Sequence, residues 1–265
     1  MKALGDFTAL IHNENIKIYS RVRTWVMLFI LAVMSVLFPV LMYFTSGSPD
    51  SGMGLWDTFQ TTVSIAFFLN TIFTVVVASD SVASEFSWGT IKLLLIRPWS
   101  RTKILISKYI SLVLFSLLST AVLIAFAYGS SLIFSSSAES GMSAMRDLSP
   151  AEYSFLDLFC RYIEMFLTAA LAFMVSSVFR ASGLAIGLSL FIMFTKNIFL
   201  LIFSPERYEW AKYLIFTHMD LRGYMVSSAG PGGVTLGFSA AVLAVYYVIF
   251  LLVSWYVFRK RDVAA

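Results

Sequence analysis

Six apolar runs, each long enough to cross a bilayer, constrain most strongly what this chain can fold into. They lie at Thr24–Phe44, Phe59–Ser79, Ile104–Phe134, Leu158–Val178, Gly183–Phe203 and Leu236–Phe258. A helix needs about 20 apolar residues to cross a ~30 Å hydrocarbon core. Only 13% of the 265 residues are charged, well below the share in soluble domains. The sequence predicts an all-α polytopic membrane protein with six transmembrane helices. Because the runs are continuous rather than alternating, they exclude a barrel.

The basic residues are divided unevenly between the two sides of such a protein. If both termini lie on one side, thirteen of the nineteen Lys and Arg lie there, five lie opposite, and Lys196 falls within a span. Lys and Arg stay in cytoplasmic loops because they resist translocation. The bias predicts a multi-pass protein of the cell membrane, bacterial by type, with cytoplasmic N and C termini. We therefore attribute the net charge of +4 to the orientation of the protein in a lipid bilayer, and we expect no nucleic-acid partner.

Three segments follow from this layout. Residues 1–23 are predicted to form a cytoplasmic interfacial (elbow) helix, residues 24–258 a six-helix transmembrane domain, and residues 259–265 a cytoplasmic tail. Within the first segment one helical stripe is apolar, and Glu14 interrupts it; the stripe consists of Leu4, Phe7, Ile11 and Ile18. This pattern is typical of an amphipathic helix that lies in the membrane interface. A soluble N-terminal tail is the alternative.

The connector between the second and third spans concentrates positive charge in a short segment. Its sequence from residue 84 to 108, SEFSWGTIKLLLIRPWSRTKILISK, holds five basic residues. On a helical wheel one stripe holds Glu85, Gly89 and Lys92, and the adjoining apolar face holds Trp88, Ile91 and Leu95. Pro98 ends such a helix because it lacks an N–H group and disfavours helical geometry in the residue before it. The pattern predicts a short cytoplasmic helix suited to docking.

This segment resembles the stretch that follows the second span in the permease subunits of ABC type-2 exporters. The matching residues, in order, are Glu85, Gly89, Thr90, Leu93, Leu94, Leu95, Pro98, Ser100, Arg101 and Lys108. The resemblance implies a coupling helix that receives the motion of an ATP-hydrolysing subunit. Its coupling residues would be Glu85, Trp88, Gly89, Thr90, Lys92, Leu95, Arg97, Pro98 and Arg101. A positively charged loop that merely anchors two helices is the alternative.

The resemblance also implies partners, because the chain lacks a phosphate-binding loop. The nearest match, GSPDSGMG from Gly47, has Met53 where the loop requires lysine. A separate ATPase subunit in two copies would hold ATP and Mg, and a second permease subunit would complete a homodimer or a heterodimer with a sister chain. The expected cargo of export is an amphipathic compound, an antimicrobial peptide, an antibiotic or a lipid-like molecule.

Within this chain we expect no catalytic residue, cofactor or metal site. The single cysteine, Cys160, excludes a cysteine metal cluster and an intrachain disulfide. The two histidines, His12 and His218, fall on opposite sides of the predicted membrane topology, and no catalytic motif accompanies them. An accessory or sensory membrane subunit is one alternative function. An integral membrane enzyme is another.

Polar residues inside the spans form a second set of candidates, since such residues are costly in a membrane. One stripe of the second span holds Gln60, Ser64, Asn70, Thr71 and Thr74. These side chains would line a substrate path or hydrogen-bond to neighbouring helices. Arg161 and Glu164 in the fourth span and Lys196 in the fifth lie at a similar depth. We predict a Glu164–Lys196 ion pair. The alternative is that both snorkel to the surface while Arg161 serves Glu164.

Overall fold

A computed structural model describes residues 2–45, 53–90, 99–136, 148–227 and 229–260. Within these ranges all regular secondary structure is helical. In chain order the helices are α1 (Lys2–Tyr19), α2 (Val22–Thr45), α3 (Leu55–Ser87), α4 (Arg101–Phe134), α5 (Pro150–Val178), α6 (Ser182–Ile202), α7 (Ile215–His218), α8 (Gly223–Val226) and α9 (Leu236–Lys260). Short 3-10 turns occupy Glu209–Tyr213 and Pro231–Gly233.

Six of these helices, α2 to α6 and α9, are long and apolar enough to cross a membrane. The prediction of an all-helical, six-span membrane protein is therefore confirmed. α3 and α4 contain 33 and 34 residues, and at ~1.5 Å per residue each is about 50 Å long. Because a hydrocarbon core is only ~30 Å thick, both helices extend beyond it. We call the end of the bundle where α3 finishes and α4 begins the connector end, and the opposite end the far end.

α3 lies at the centre of the bundle, where it packs against α5, α4, α6 and α2. Small buried residues, including Ala78 and Ala83 on α3 and Ala170 on α5, allow the central helices to approach closely. Ser176 Oγ of α5 lies within hydrogen-bond distance of two backbone N–H groups of α3, 3.1 Å from Val82 N and 3.0 Å from Ala83 N. The contact between α3 and α5 is thus both close and specific.

The connector differs from its predicted helix at its start. α3 continues through Glu85 to Ser87, so Glu85 belongs to the last turns of the second span. Gly89 then adopts φ +70°, and no atom lies within 4 Å of the position that its Cβ would occupy. The left-handed backbone, which glycine adopts at least cost, separates Glu85 from the residues beyond it. A single helix starting at Glu85 is therefore wrong. Residues 91–98, with Lys92, Leu95, Arg97 and Pro98, lie outside the described ranges.

The N-terminal segment is helical, and it contacts the bundle partly through residues outside the predicted apolar stripe. α1 ends at Tyr19 and α2 begins at Val22, so the chain turns between them. Among the α1 side chains that the structure describes, from Phe7 to Tyr19, the buried ones are Leu10 and Glu14, one turn apart and 5% and 6% exposed. The residue that interrupts the apolar stripe is therefore the one turned towards the bundle, where α1 packs against α4. At the other terminus, α9 continues through Arg259 and Lys260, beyond the predicted boundary at residue 258.

Candidate functional site

Four charged side chains from three helices meet at the connector end. We call Glu14, Lys17, Glu85 and Lys108 the basal cluster. Lys108 Nζ lies 2.7 Å from Glu14 Oε2 and 2.9 Å from Glu85 Oε1. Lys17 Nζ lies 2.8 Å from Glu14 Oε1 and 2.8 Å from Glu85 Oε1. Each lysine thus bridges both carboxylates, and the cluster fastens α1 and α4 to the end of α3.

The basal cluster is neutral overall and largely removed from solvent. The side chain of Lys108 is 3% exposed, and those of Glu14 and Glu85 are 7% and 9% exposed. Buried charges of this kind are tolerated only when they are paired with good geometry. Lys17 is the solvent-facing member, with 44% of its side chain exposed. Partial burial opposes its charge, yet Glu14 and Glu85 outweigh burial and raise the pKa of Lys17 above its ordinary value.

The start of the connector is tied to the basal cluster through Thr90. Its hydroxyl donates to Glu85 Oε2, while Glu85 Oε1 accepts from the two lysines. Just before it, Trp88 is 72% exposed, with the Arg21 guanidinium 5.4 Å from its ring centroid. A buried ionic anchor therefore stands directly beside an exposed aromatic side chain.

Asp80 forms a second ionic centre one and a half turns further along α3 towards the far end. It accepts from Arg21 and Arg23 at the α1–α2 turn and from the hydroxyl of Ser182 at the start of α6. Ser87 Oγ adds a second link between α3 and the start of α6, since it accepts from the backbone N–H of Ser182 at 2.9 Å. The two centres together join α1, α2, α3, α4 and α6 at one end of the molecule.

A cavity of about 390 Å³ opens between α1, the end of α3 and the start of α4. Three members of the basal cluster line it, namely Glu14, Lys17 and Glu85. The apolar surface comes from Leu10, Trp88, Trp99 and Ile104. Its size is within the range of small-molecule pockets, ~300–1,000 Å³. The cavity and the basal cluster together form the candidate site. In this site the exposed ring of Trp88 lies beside the charged groups that join α1, α3 and α4.

The predicted coupling residues have different positions in this site. Glu85 was predicted on a docking face, but it is buried inside the basal cluster. Trp88, Gly89 and Thr90 lie beside the cluster, where Trp88 alone is a large exposed side chain. Arg101 lies at the start of α4 and donates from Nη1 to the carbonyl oxygen of Arg259 at the end of α9, at 3.0 Å. Among the described coupling residues, Trp88 therefore provides the large exposed side chain beside the cluster.

Sequence reasoning missed half of the basal cluster and the whole Asp80 centre. Glu14 appeared only as an interruption of an apolar stripe, and Lys17 only as part of a charge count. The sequence did contain a signal for these two ionic centres, because Asp80 and Glu85 are the only charged residues between Asp57 and Lys92. Two acids near the end of a span need basic partners: the α1–α2 turn supplies those of Asp80, and α1 and α4 supply those of Glu85.

A polar cleft at the far end holds most of the other predicted residues. Its cavity measures about 320 Å³ and is bounded by α3, α5, α6 and the segment before α9. We call it the far cleft; its polar lining includes Ser64, Thr71, Arg161, Glu164, Lys196, Asp220 and Arg222. Lys196 Nζ donates to Glu164 Oε1, which confirms the predicted ion pair. Arg161 forms its ion pair with Asp157, at 2.6 Å, and not with Glu164. It also donates a hydrogen bond to Ser64 Oγ at 2.7 Å.

The remaining polar residues of the second span do not line the far cleft. Asn70 Nδ2 donates to Thr120 Oγ1 of α4 at 3.0 Å, and the Thr74 hydroxyl lies 3.6 Å from Met165 Sδ of α5. Gln60 is half-buried, and its Oε1 has no hydrogen-bond partner within the described residues. The predicted stripe therefore divides: Ser64 and Thr71 face the cavity, whereas Asn70 and Thr74 join neighbouring helices.

We expect Glu164→Lys and Lys196→Glu each to lower the free energy of unfolding by about 1–3 kcal/mol, because each places two like charges together in a half-buried site. The double exchange should recover at least half of that loss, because it restores an ion pair of opposite orientation. Unfolding in detergent followed by tryptophan fluorescence measures the effect. If the losses of the two single variants simply add in the double variant, the pair contributes nothing.

His218 and Ser239 form a contact that resembles part of a catalytic arrangement. His218 Nδ1 lies 2.6 Å from Ser239 Oγ, and His218 Nε2 lies 2.6 Å from the carbonyl oxygen of Lys212. Both side chains are almost fully buried, and a backbone carbonyl, not a carboxylate, orients the ring. Nucleophilic catalysis needs access to substrate, so this pair holds the segment before α9 onto α9. Within the described residues no group of metal-binding side chains occurs.

Comparisons with known proteins place the chain among membrane proteins. Residues 23–264 match the family described as "Protein of unknown function (DUF2705)". The uncharacterized protein YhcI of Bacillus subtilis (strain 168) is 33% identical over 313 aligned residues, which cover 96% of this chain and 99% of that protein. The uncharacterized membrane protein YdbK of the same organism is 27% identical over 254 residues, 93% of this chain and 99% of its own length. Both similarities extend over nearly the whole chain.

Proposed function

This chain belongs to the DUF2705 family, and from its connector segment and its basal cluster we propose that it is the membrane-spanning permease subunit of an ATP-binding-cassette transporter. In this proposal ATP and Mg are bound by a separate ATPase subunit present in two copies. A second permease subunit, as a homodimer or a sister chain, completes the complex. The connector end, with both termini, faces the cytoplasm, and the exported cargo is an amphipathic compound.

The observation that carries the proposal is the basal cluster beneath the connector. Trp88 and Thr90 lie close to Glu85, so a force applied to either of them would be transmitted to Glu85. Glu85 in turn is hydrogen-bonded to lysines of α1 and α4. Packed elements of this kind move as units rather than deforming continuously. An ATPase that pushed the connector would therefore move α1, α3 and α4 together, and α3 is the helix against which most of the bundle packs.

Orientation supports the same assignment, since the positive-inside tendency favours a cytoplasmic connector end. An accessory or sensory subunit of such a complex is the second candidate. The feature that favours it is the small size of the far cleft, about 320 Å³, which suits recognition of a ligand without its passage. Turnover separates the two candidates, because only a permease is required for cargo to cross the membrane.

The decisive experiment is capture of an ATPase by the tagged full chain from native membranes. We expect an ATP-hydrolysing subunit to co-purify, and we expect Trp88→Ala to reduce its recovery about tenfold, as for a buried aromatic anchor worth at least ~1.4 kcal/mol. The matched control is Trp210→Ala, because Trp210 is also exposed (51%) but follows α6 at the far end. Recovery should be unchanged in the control.

Three outcomes would overturn the proposal. The first is a chain that purifies without an ATPase under conditions that preserve known complexes. The second is equal loss of the ATPase in Trp88→Ala and Trp210→Ala. The third is labelling from outside intact cells, by a membrane-impermeant maleimide, at Ser100→Cys in a Cys160→Ser background. Ser149→Cys, near the start of α5 at the far end, serves as the positive control for external labelling.

A further inference from the structure

The far cleft presents both signs of charge to one space. Three ion pairs surround it: Arg161–Asp157 at 2.6 Å, Lys196–Glu164, and Arg222–Asp220 at 2.8 and 3.0 Å. Asp220 lies outside the spans. Burial alone would raise the pKa of Asp220, but hydrogen bonds and charge from Arg222 outweigh it and hold that pKa below its ordinary value. The cleft is therefore a balanced ionic site.

Some hydrogen-bonding capacity in the far cleft is still unused. Arg161 donates from Nε and Nη2, which leaves Nη1 without a partner within the described residues. Glu164 accepts from Lys196 through Oε1, and its Oε2 likewise has no partner in the described part of the chain. Arg161 and Glu164 both line the cavity, so an unused donor and an unused acceptor lie on side chains that are already fixed by their own ion pairs.

The cleft borders an exposed apolar surface on the spans. Phe68 of α3 and Phe194 of α6 line it and are 52% and 54% exposed, with ring centroids 6.0 Å apart. Lys196 lies in the last two turns of α6, and Arg161 lies within the first turns of α5. The charged groups are therefore near the far end of the spans, where lipid headgroups lie, and the aromatic rings are beside them.

We propose that the far cleft binds a zwitterionic amphiphile whose headgroup carries a phosphate and a protonated amine. The phosphate would accept from Arg161 and Lys196, the amine would donate to Glu164, and the apolar chain would lie along Phe68 and Phe194. A purely anionic headgroup would meet Glu164 and Asp220, and a purely cationic one would meet three basic side chains. The volume of about 320 Å³ fits a headgroup, with the chain outside in the bilayer.

This inference names the substrate class of the proposed transporter and in that sense rests on the proposed function, but the binding itself is measured without ATPase. The full chain, purified in detergent, is titrated with dioleoylphosphatidylethanolamine, dioleoylphosphatidylglycerol and free phosphoethanolamine, and bound ligand is counted by native mass spectrometry. We expect the zwitterionic lipid to bind about tenfold more tightly than the anionic lipid, and the free headgroup to bind more weakly than either.

Two variants test the location. Thr71→Phe fills the cleft without removing a charge and should weaken binding of the zwitterionic lipid about tenfold or more. The matched control is Thr195→Phe: both threonines donate to the carbonyl oxygen four residues earlier in their own span, but Thr195 lies outside the cleft lining. Glu164→Gln removes the negative charge that would pair with the amine and should abolish the preference between the two lipids.

Equal binding of both lipids to the unchanged chain would overturn the inference, and so would equal effects of Thr71→Phe and Thr195→Phe. Tight binding of free phosphoethanolamine would overturn the amphiphile part of it. If lipid selectivity fails while the ATPase still co-purifies, the proposed function stands without this substrate class. If lipid selectivity holds and no ATPase is found, the far cleft is a lipid site in a protein of another function.

Discussion

Replacing Lys108 by methionine is expected to lower the free energy of unfolding by about 3–5 kcal/mol, the loss typical of breaking a buried ion pair from one side. Methionine keeps most of the length of the side chain and removes its charge. Glu14 and Glu85 would then share only Lys17, which is 44% exposed. Two carboxylates would remain in a largely buried site with one neutralising charge. Chemical unfolding of the full chain in detergent measures the loss.

Lys103→Met is the matched control for this prediction. Lys103 is a lysine of the same helix, five residues earlier, but it is exposed and its ammonium lies 5.8 Å from the Trp99 ring. Its replacement should change the free energy of unfolding by less than about 1 kcal/mol. The double variant Lys108→Met with Glu14→Gln leaves Lys17 and Glu85 as a pair, so it should be more stable than Lys108→Met alone. A double variant less stable than the single one would contradict the charge-balance explanation.

Replacing His218 by phenylalanine is expected to lower the free energy of unfolding by about 2–4 kcal/mol, because buried groups lose their hydrogen-bond partners. His218 is 1% exposed and links Ser239 of α9 to the carbonyl oxygen of Lys212. Tyr224 completes the chain, with its hydroxyl 2.6 Å from Ser239 Oγ. Loss of the imidazole leaves the Lys212 carbonyl unsatisfied and detaches the segment before α9.

The other histidine provides the control. His12 lies on α1 and is exposed, so His12→Phe should alter the free energy of unfolding by less than about 0.5 kcal/mol. Limited proteolysis between α6 and α9 provides an independent measurement: cleavage should accelerate in His218→Phe and not in His12→Phe. Equal stability of the two variants would show that the Ser239–His218 contact does not hold this segment.

Counting residues along single helices was enough to predict the Glu164–Lys196 ion pair, but it was not enough to predict the basal cluster. Glu164 and Lys196 could be matched because each lay a known number of residues from the same end of adjacent antiparallel spans, and rise per residue converts such counts into depth. Glu14 could not be matched with Lys108 in this way. Their contact depends on how α1 folds back across α4, and that angle is set by a two-residue turn between Tyr19 and Val22.

The sequence by itself determined the class of protein and the number of spans, because crossing a hydrocarbon layer demands length and apolar composition, and both are properties of single segments. It also located the charged connector. Only the tertiary structure decided that Glu85 is buried, that Glu14 faces the bundle, and that five polar residues of one stripe have different partners. Those outcomes depend on which helices are neighbours and on their rotation, and packing between separate segments fixes both.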